Sequence, residues 1–322
     1  MTKTALISGT TGQDGAYLAK LLLSKGYEVW GTSRDAELSS FSNLKSLGIY
    51  DQIHRRSMSL TDFRSVLQVI EECEPDEVYN LAGQSSVGLS FQQPVETLES
   101  IAFGTLNLLE VLRYRGRPVR LYNAASGECF GETTLQNPAR EDSSFHPRSP
   151  YGVAKCTSYW SVVNYREAYG LFACSGILFN HESPLRPERF VTRKIVSAAH
   201  EISLGKRAHL ELGNLDVVRD WGWAPEYVEA MWSMLQQGTA DDFIIATGQS
   251  HSLQYFVQCA FEALDLDWKD WVRQDRSLLR AADISQRFAD PAKANTQLNW
   301  HATVQLKDIV SRLIEDQRSL HV

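Results

Sequence analysis

Cysteine is scarce in this chain and follows no pattern. The five that occur (Cys73, Cys129, Cys156, Cys174 and Cys259) are an odd number set far apart, with no CxxC pair. Neither a disulfide framework nor a zinc site is indicated, and a reducing cytoplasm fits best. Long apolar runs are missing too. None approaches the ~18 residues of a membrane span, so no membrane partner is expected. The opening MTKTALISG has too short an apolar part for a signal peptide and reads as a first strand. Basic clusters are absent: 32 Lys and Arg against 39 Asp and Glu leave a net charge of −7, which argues against a general nucleic-acid binder. The chain also lacks repeats, low-complexity stretches and an evident linker.

What remains is the composition of a soluble globular protein, 43% hydrophobic and 22% charged over 322 residues, enough for one large domain or two ordinary ones. Short apolar runs alternate with longer amphipathic ones through the first 180 residues. TALISG, YEVWGT, QIHRRSM, EVYNLAG, VRLYNAA and FACSGILF read as strands. Helical patterns lie between them at 13–25, 61–73, 94–115 and 151–169, and later at 191–204, 225–237 and 252–264. The alternation predicts α/β architecture, a doubly wound parallel sheet, with a second and smaller lobe behind it.

Three stretches carry chemistry. In LISGTTGQDGAYLAKLLLSKGYEVWG, Gly9, Gly12 and Gly15 follow a strand and open a helix. Glycine lets the turn tighten and lets backbone N–H groups reach a pyrophosphate, to which the helix N-terminus adds partial positive charge. The GxxGxxG spacing is that of a short-chain dehydrogenase loop rather than GxGxxG. After the second strand, GTSRDAE offers Arg34, which suits the 2′-phosphate of NADP, and then Asp35, which suits the ribose hydroxyl of NAD. NADP is the favoured reading, with NAD left open.

In SPYGVAK, Tyr151 and Lys155 stand four apart and share a helix face. A nearby ammonium lowers the pKa of a phenol, and the phenolate can take a hydroxyl proton. In NAASGECFGE, Ser126 ends a strand, where ligands bind in open α/β sheets, and Glu128 follows. A plain dehydrogenase needs Ser, Tyr and Lys only. A carboxylate could take the C5 proton of a sugar already oxidised at C4, expelling the C6 hydroxyl. The other reading of Glu128 is a surface acid or cap. His146 and His181 read as structural, and no metal is expected.

These segments, with VNYREAYGLFA, GILFNHESP, FVTRKI, LGNLDVVRDWGWAPEYVEAMWSML and DFIIATG, resemble the extended short-chain dehydrogenase/reductases, and among them the GDP-mannose 4,6-dehydratase family, from about residue 4 to 300. The resemblance implies a Rossmann-like domain over 1–180. Residues 181–322 are then mainly a nucleotide-sugar lobe, with segments returning to the first domain. It implies catalysis by Ser126, Glu128, Tyr151 and Lys155, with Ser126 where the family usually has Thr. It places the cofactor on Gly9, Thr11, Gly12, Gln13, Asp14, Gly15, Arg34, Leu60, Leu81, Ala82 and Ser85, with Tyr151 and Lys155. The GDP-sugar falls to Ser85, Ser126, Glu128, Asn180, Glu182, Lys194, Gly213, Arg219, Arg280 and Asp283. It also implies a homodimer or homotetramer, with the 94–115 and 151–169 helices forming an intersubunit bundle. Departures are Ser59 for Asp in MSLTD, Asp35 for the second of two arginines, AELSSFSNLK for an Arg- and Ser-rich loop, and Asp283 for Glu. The alternatives are a dehydratase of another GDP-sugar such as a GDP-heptose, a GDP-sugar 4-ketoreductase or epimerase, and a non-catalytic nucleotide sensor.

Overall fold

Strands β1 (Thr4–Ser8), β2 (Glu28–Ser33), β3 (His54–Ser57), β4 (Glu77–Asn80), β5 (Arg120–Ser126) and β6 (Ala173–Leu178) fall on the six expected apolar runs. The remaining strands are β7 (Asn180–Glu182), β8 (Leu210–Leu212), β9 (Val218–Trp223), β10 (Phe243–Ile245), β11 (Ser250–Ser252) and β12 (Val272–Gln274). The computed structural model describes residues 2–279 and 282–319. Arg280, expected at the substrate, lies outside the described residues.

Seven strands form one sheet in the order β3-β2-β1-β4-β5-β6-β10, every neighbouring pair parallel. The central strands are buried almost throughout, as a sheet covered on both faces requires. On one face lie the helices Gln13–Ser24 and Ala224–Met234, which share one apolar cluster. On the other lie Phe63–Cys73, Gly104–Arg115 and Pro150–Tyr169. The chain order reverses between β1 and β4, so the carboxyl ends of these two strands flank the crevice where such sheets bind ligands.

The second lobe has its own core, formed by the helices Val191–Ser203, Leu253–Glu262 and Leu306–Ser319 with β8 and β9. It is not one continuous stretch of chain. The helix Ala224–Met234 and strand β10 return to the sheet, where Phe243–Ile245 pair with Gly176–Leu178. Residues 284–290 then run as an extended segment between β9 and the 133–139 loop. Val218 N donates to Ser285 O at 2.8 Å, Arg287 N to Val218 O at 3.1 Å and Ala139 N to Phe288 O at 2.9 Å.

The helical expectations hold to within a few residues, with one exception. The 94–115 pattern is broken into Pro94–Leu98, a π-helical segment Glu99–Phe103 and Gly104–Arg115. Gly104 sits at the break, where an added Cβ would lie 3.0 Å from the Leu60 Cβ. The extra residue of the π turn brings the helix against the strand-end loops at Leu60 and Gly83.

Candidate active site

The local sequence explains how the glycine loop is built. Gly9 has φ +79°, and a Cβ there would stand 2.9 Å from the backbone of Ala82 at the end of β4. At Gly15 a Cβ would lie 2.4 Å from Gly9 O and 2.7 Å from Thr10 Cα. Gly12 caps the helix Gln13–Ser24, with no side chain hydrogen-bonded to the first-turn amides. The result is a backbone cradle with open donors at a helix N-terminus, and it fits a dinucleotide pyrophosphate. Leu81 N and Ala82 N both donate to Ser8 Oγ, at 3.1 and 3.3 Å, tying the β4 end to β1 beside the cradle. Thr11 is exposed and its carbonyl accepts from Asn43 Nδ2 at 2.9 Å. Ser85 is exposed, and Leu60 is buried beneath the π segment.

Two loop side chains face away from the cradle. Gln13 Nε2 donates to His181 O at 3.2 Å, and its Oε1 accepts from Ser183 Oγ at 2.7 Å. Asp14 Oδ2 meets His181 Nε2 at 2.9 Å, while His181 Nδ1 meets Phe179 O at 2.8 Å. Both ring nitrogens thus face acceptors, the pattern of an imidazolium. Burial alone would raise the Asp14 carboxyl, but His181 holds it down to about 2. Burial opposes charge on His181 as well, and Asp14 overcomes it, so the imidazole pKa is raised.

At the end of β2, Asp35 Oδ1 accepts from Glu37 N and Leu38 N, both at 3.0 Å, and closes its own turn. Arg34 is largely exposed, 4.0 Å from Glu96.

At the end of β5, Ser126 Oγ caps a short 3-10 turn by accepting from Glu128 N at 3.2 Å. The Ser126 hydroxyl also reaches the Tyr151 hydroxyl. Ser149 caps the next helix, accepting from Gly152 N at 3.0 Å, and Pro150 takes its first position. Tyr151 therefore stands in the first turn and Lys155 one turn on. A Cβ on Gly152 would lie 3.0 Å from Glu128 O, so glycine there lets the helix start close over the Glu128 turn.

Glu128 is buried, 7% exposed, and its carboxylate acts on Tyr151 electrostatically. The four groups Ser126, Glu128, Tyr151 and Lys155 are thus assembled at one sheet end. Lys155 does not do what the spacing suggested. Its Nζ donates to Ala124 O at 2.6 Å and lies 5.8 Å from the Tyr151 ring centroid. Burial pushes the Tyr151 phenol well up, the Ser126 hydroxyl pulls it down, and Glu128 adds to the rise. Burial lowers the Lys155 ammonium to about 8.

The expected sugar-nucleotide residues are scattered and mostly held by the protein itself. Glu182 Oε2 accepts from Thr192 Oγ1 at 2.6 Å and faces Arg186 Nε at 3.4 Å. Lys194 Nζ donates to Glu211 O at 2.7 Å. Arg219 and Asp283 are brought together, Nη2 to Oδ1 at 3.3 Å, and Arg219 Nη2 also donates to Ile284 O at 2.7 Å. A Cβ on Gly213 would lie 3.1 Å from Leu278 O. A cleft of about 600 Å³ opens beside the Glu128 turn, lined by Phe130, Glu132, His146, Arg148 and Asp283 among others.

One functional group has no counterpart in the sequence reading. Arg287 Nη1 meets Glu128 Oε1 at 2.9 Å, and its Nη2 donates to Asn180 Oδ1 at 3.0 Å. Nothing local marked it, because it enters on a segment 159 residues further along the chain.

Comparison with known proteins decides the family. Residues 6–313 match the family described as GDP-mannose 4,6 dehydratase. This chain belongs to the GDP-mannose 4,6-dehydratase family. It is 46% identical to GDP-mannose 4,6 dehydratase 2 of Arabidopsis thaliana, over 99% of this chain and 87% of that protein. It is 43% identical to the GDP-mannose 4,6-dehydratase of Sinorhizobium fredii, over 98% and 97% respectively. Among solved structures, UDP-glucose 4-epimerase of Thermotoga maritima superposes with a TM-score of 0.87 at 22% identity, covering 99% of this chain and all of that one, which shows the shared fold.

Proposed function

We propose that this family member converts GDP-mannose to GDP-4-keto-6-deoxymannose, with NADP as its nicotinamide cofactor. The observation that carries the reading is Glu128: a carboxylate buried at the sheet end, beside the Ser126–Tyr151 hydroxyl pair. A 4-epimerase or 4-ketoreductase moves a hydride and a hydroxyl proton at C4 only, and needs no base for a C–H proton.

When bound, the nicotinamide supplies a hydride acceptor for C4 of the hexose and a donor for C6. The remaining chemistry belongs to the chain. Ser126 Oγ hydrogen-bonds the C4 oxygen, and Tyr151 Oη takes its proton. The resulting ketone acidifies the C5 hydrogen. Glu128 takes that proton and delivers one to the C6 hydroxyl, which leaves as water. The proton held by Tyr151 returns to C5 as C6 is reduced, so both groups are restored and the net change is loss of one water. Lys155, anchored at Ala124 O, places its ammonium over the Tyr151 ring, 5.8 Å from its centroid.

Two features support NADP over NAD. Arg34 is exposed at the end of β2, suited to a 2′-phosphate, and Asp35 is spent on its own turn. The cradle of Gly9, Gly12 and Gly15 would hold the pyrophosphate. GDP-mannose with catalytic NADP should yield a 4-keto-6-deoxy sugar and no net reduced cofactor. Stoichiometric consumption of NADPH, or a GDP-heptose turned over far faster than GDP-mannose, would count against this reading. For assembly, the groove between the helices Gly104–Arg115 and Pro150–Tyr169 exposes Val153 and Trp160, seven residues apart on one side of the second helix, and we assign this face to a second copy of the chain.

A further inference from the structure

Arg287 is 3% exposed, and its main chain is fixed on three sides. Its N–H donates to Val218 O at 3.1 Å, its carbonyl accepts from Ser250 Oγ at 2.8 Å, and the adjoining Phe288 N donates to Thr133 Oγ1 at 2.8 Å. The guanidinium therefore enters the site from a rigid support. Nη1 holds Glu128 Oε1 at 2.9 Å and Nη2 holds Asn180 Oδ1 at 3.0 Å, while Nε, although buried, has no acceptor among the described residues. Asn180 begins β7, so one side chain spans three separate parts of the chain: the turn after β5, the start of β7 and the 284–290 segment.

We propose that Arg287 is a positioning residue for the C5 proton transfer: it pins one oxygen of the Glu128 carboxylate so that the group faces the sugar. The proposal rests on the dehydratase reading above. Ser126 restrains only the Glu128 backbone, through its amide, and the carboxylate has three side-chain torsions to fix. An ion pair between two groups this buried is short, directional and poorly screened. Removing one partner leaves the other charge buried and free to reorient. C4 oxidation uses Ser126 and Tyr151, whereas the Arg287 guanidinium is bonded to Glu128 and Asn180, so the two half-steps should separate.

The test uses full-length wild type, Arg287→Met and Arg287→Lys, with GDP-mannose, NADP and deuterated water. In Arg287→Met, product formation should fall about 10²-fold, the order of general-base catalysis, with KM changed far less. Reduced nicotinamide should build up on the enzyme, and deuterium uptake at C5 should slow in step with product. Arg287→Lys keeps the charge and should recover part of the rate. Native product formation in Arg287→Met overturns the proposal, as does parallel loss of C4 oxidation and C5 exchange. Wild type inert toward GDP-mannose overturns the dehydratase reading and the role of Arg287 with it, so the two failures are distinct. Should Arg287→Met fail to fold, the lysine variant decides: an unchanged C5 exchange rate with altered stability marks a structural role only. A thermal-stability cycle over Arg287→Met, Glu128→Gln and the double variant adds a reading without substrate, and additive losses would overturn the pairing.

Discussion

Two acidic or basic side chains at the sheet end have environments that set measurable expectations. Glu128→Gln keeps the shape and removes the base. Product formation should fall by about 10²–10⁴-fold, while enzyme-bound cofactor still becomes reduced as C4 is oxidised; a variant that keeps native turnover would exclude Glu128 as the C5 base. Lys155 carries a different signature. Its ammonium, ordinarily near 10.5, is lowered to about 8 by burial. A depressed lysine destabilises the fold while it is charged, and that cost is relieved as pH rises from about 8 toward 10.5. Relative to Lys155→Met, wild-type stability should therefore climb over that interval. Melting temperatures of both proteins against pH check this, and parallel curves would contradict it. The hydroxyl, acid, phenol and ammonium were legible in the sequence because each sits at a fixed offset from a strand end or helix cap. Arg287 was not, since only tertiary pairing carries it to Glu128. Nor could spacing show that Lys155 would reach Ala124 O rather than the phenol, or that Glu182, Lys194 and Arg219 would be held by Thr192, Glu211 and Asp283. A lone charge in a sequence looks the same whether a ligand or a neighbour awaits it.

At the scale of elements, the turn from β1 into the first helix carries two expectations. Gly15→Ala would drive a methyl to 2.4 Å from Gly9 O, a backbone atom that cannot swing aside. The cradle must widen, at about 1–3 kcal/mol, and NADP affinity should fall with it; calorimetric titration that finds native affinity would refute the tightness argument. The same turn is bolted to β7 by Asp14 and His181. Asp14 titrates near 2 instead of its usual 3.8, so its contribution is present above that usual value and is lost as pH falls toward 2. His181 is shifted the other way, so its contribution is present below its ordinary 6.5 and is lost as pH rises through the raised value. The pair is therefore worth most between about pH 4 and 6.5. Melting curves of wild type and His181→Gln should lie furthest apart in that window and converge above it. The six strands of the first half were visible because each spans four residues or more and alternates with a longer amphipathic helix, which leaves a pattern. β7, β8, β10, β11 and β12 span three residues each, too few to show any period, and the helix Leu306–Ser319 went unread at the end of a looser stretch. The π turn inside 94–115 is equally silent, because one inserted residue does not disturb the apolar spacing enough to notice.

The whole molecule leaves one helical face open to solvent. Along the first half, the sheet carries helices on both faces, but nothing among the described residues covers the outer side of Gly104–Arg115 and Pro150–Tyr169 at Val153 and Trp160. Trp160 is 58% exposed, and Val153, seven residues earlier on the same side of the helix, is 44% exposed. A groove of about 550 Å³ runs beside Val153 and Trp160, lined also by Leu106, Pro147, Cys156 and Tyr165. Large apolar side chains exposed beside a groove are a recognition surface more often than an accident. Two-fold pairing of this face would set two helices of one copy against the same two of another, burying both patches at once. The arrangement would also bear on catalysis, because Pro150–Tyr169 begins with Tyr151 and Lys155 and is the element whose position sets the phenol against Ser126. Light scattering should find wild type at twice the chain mass or a multiple of it. Trp160→Glu with Val153→Glu should shift it to one chain mass, since two carboxylates in a desolvated interface have no partner. Both positions are exposed, so the monomer should keep its helical signal and much of its cofactor affinity. Wild type running at one chain mass, or a double variant that stays associated, would remove this face as the meeting surface.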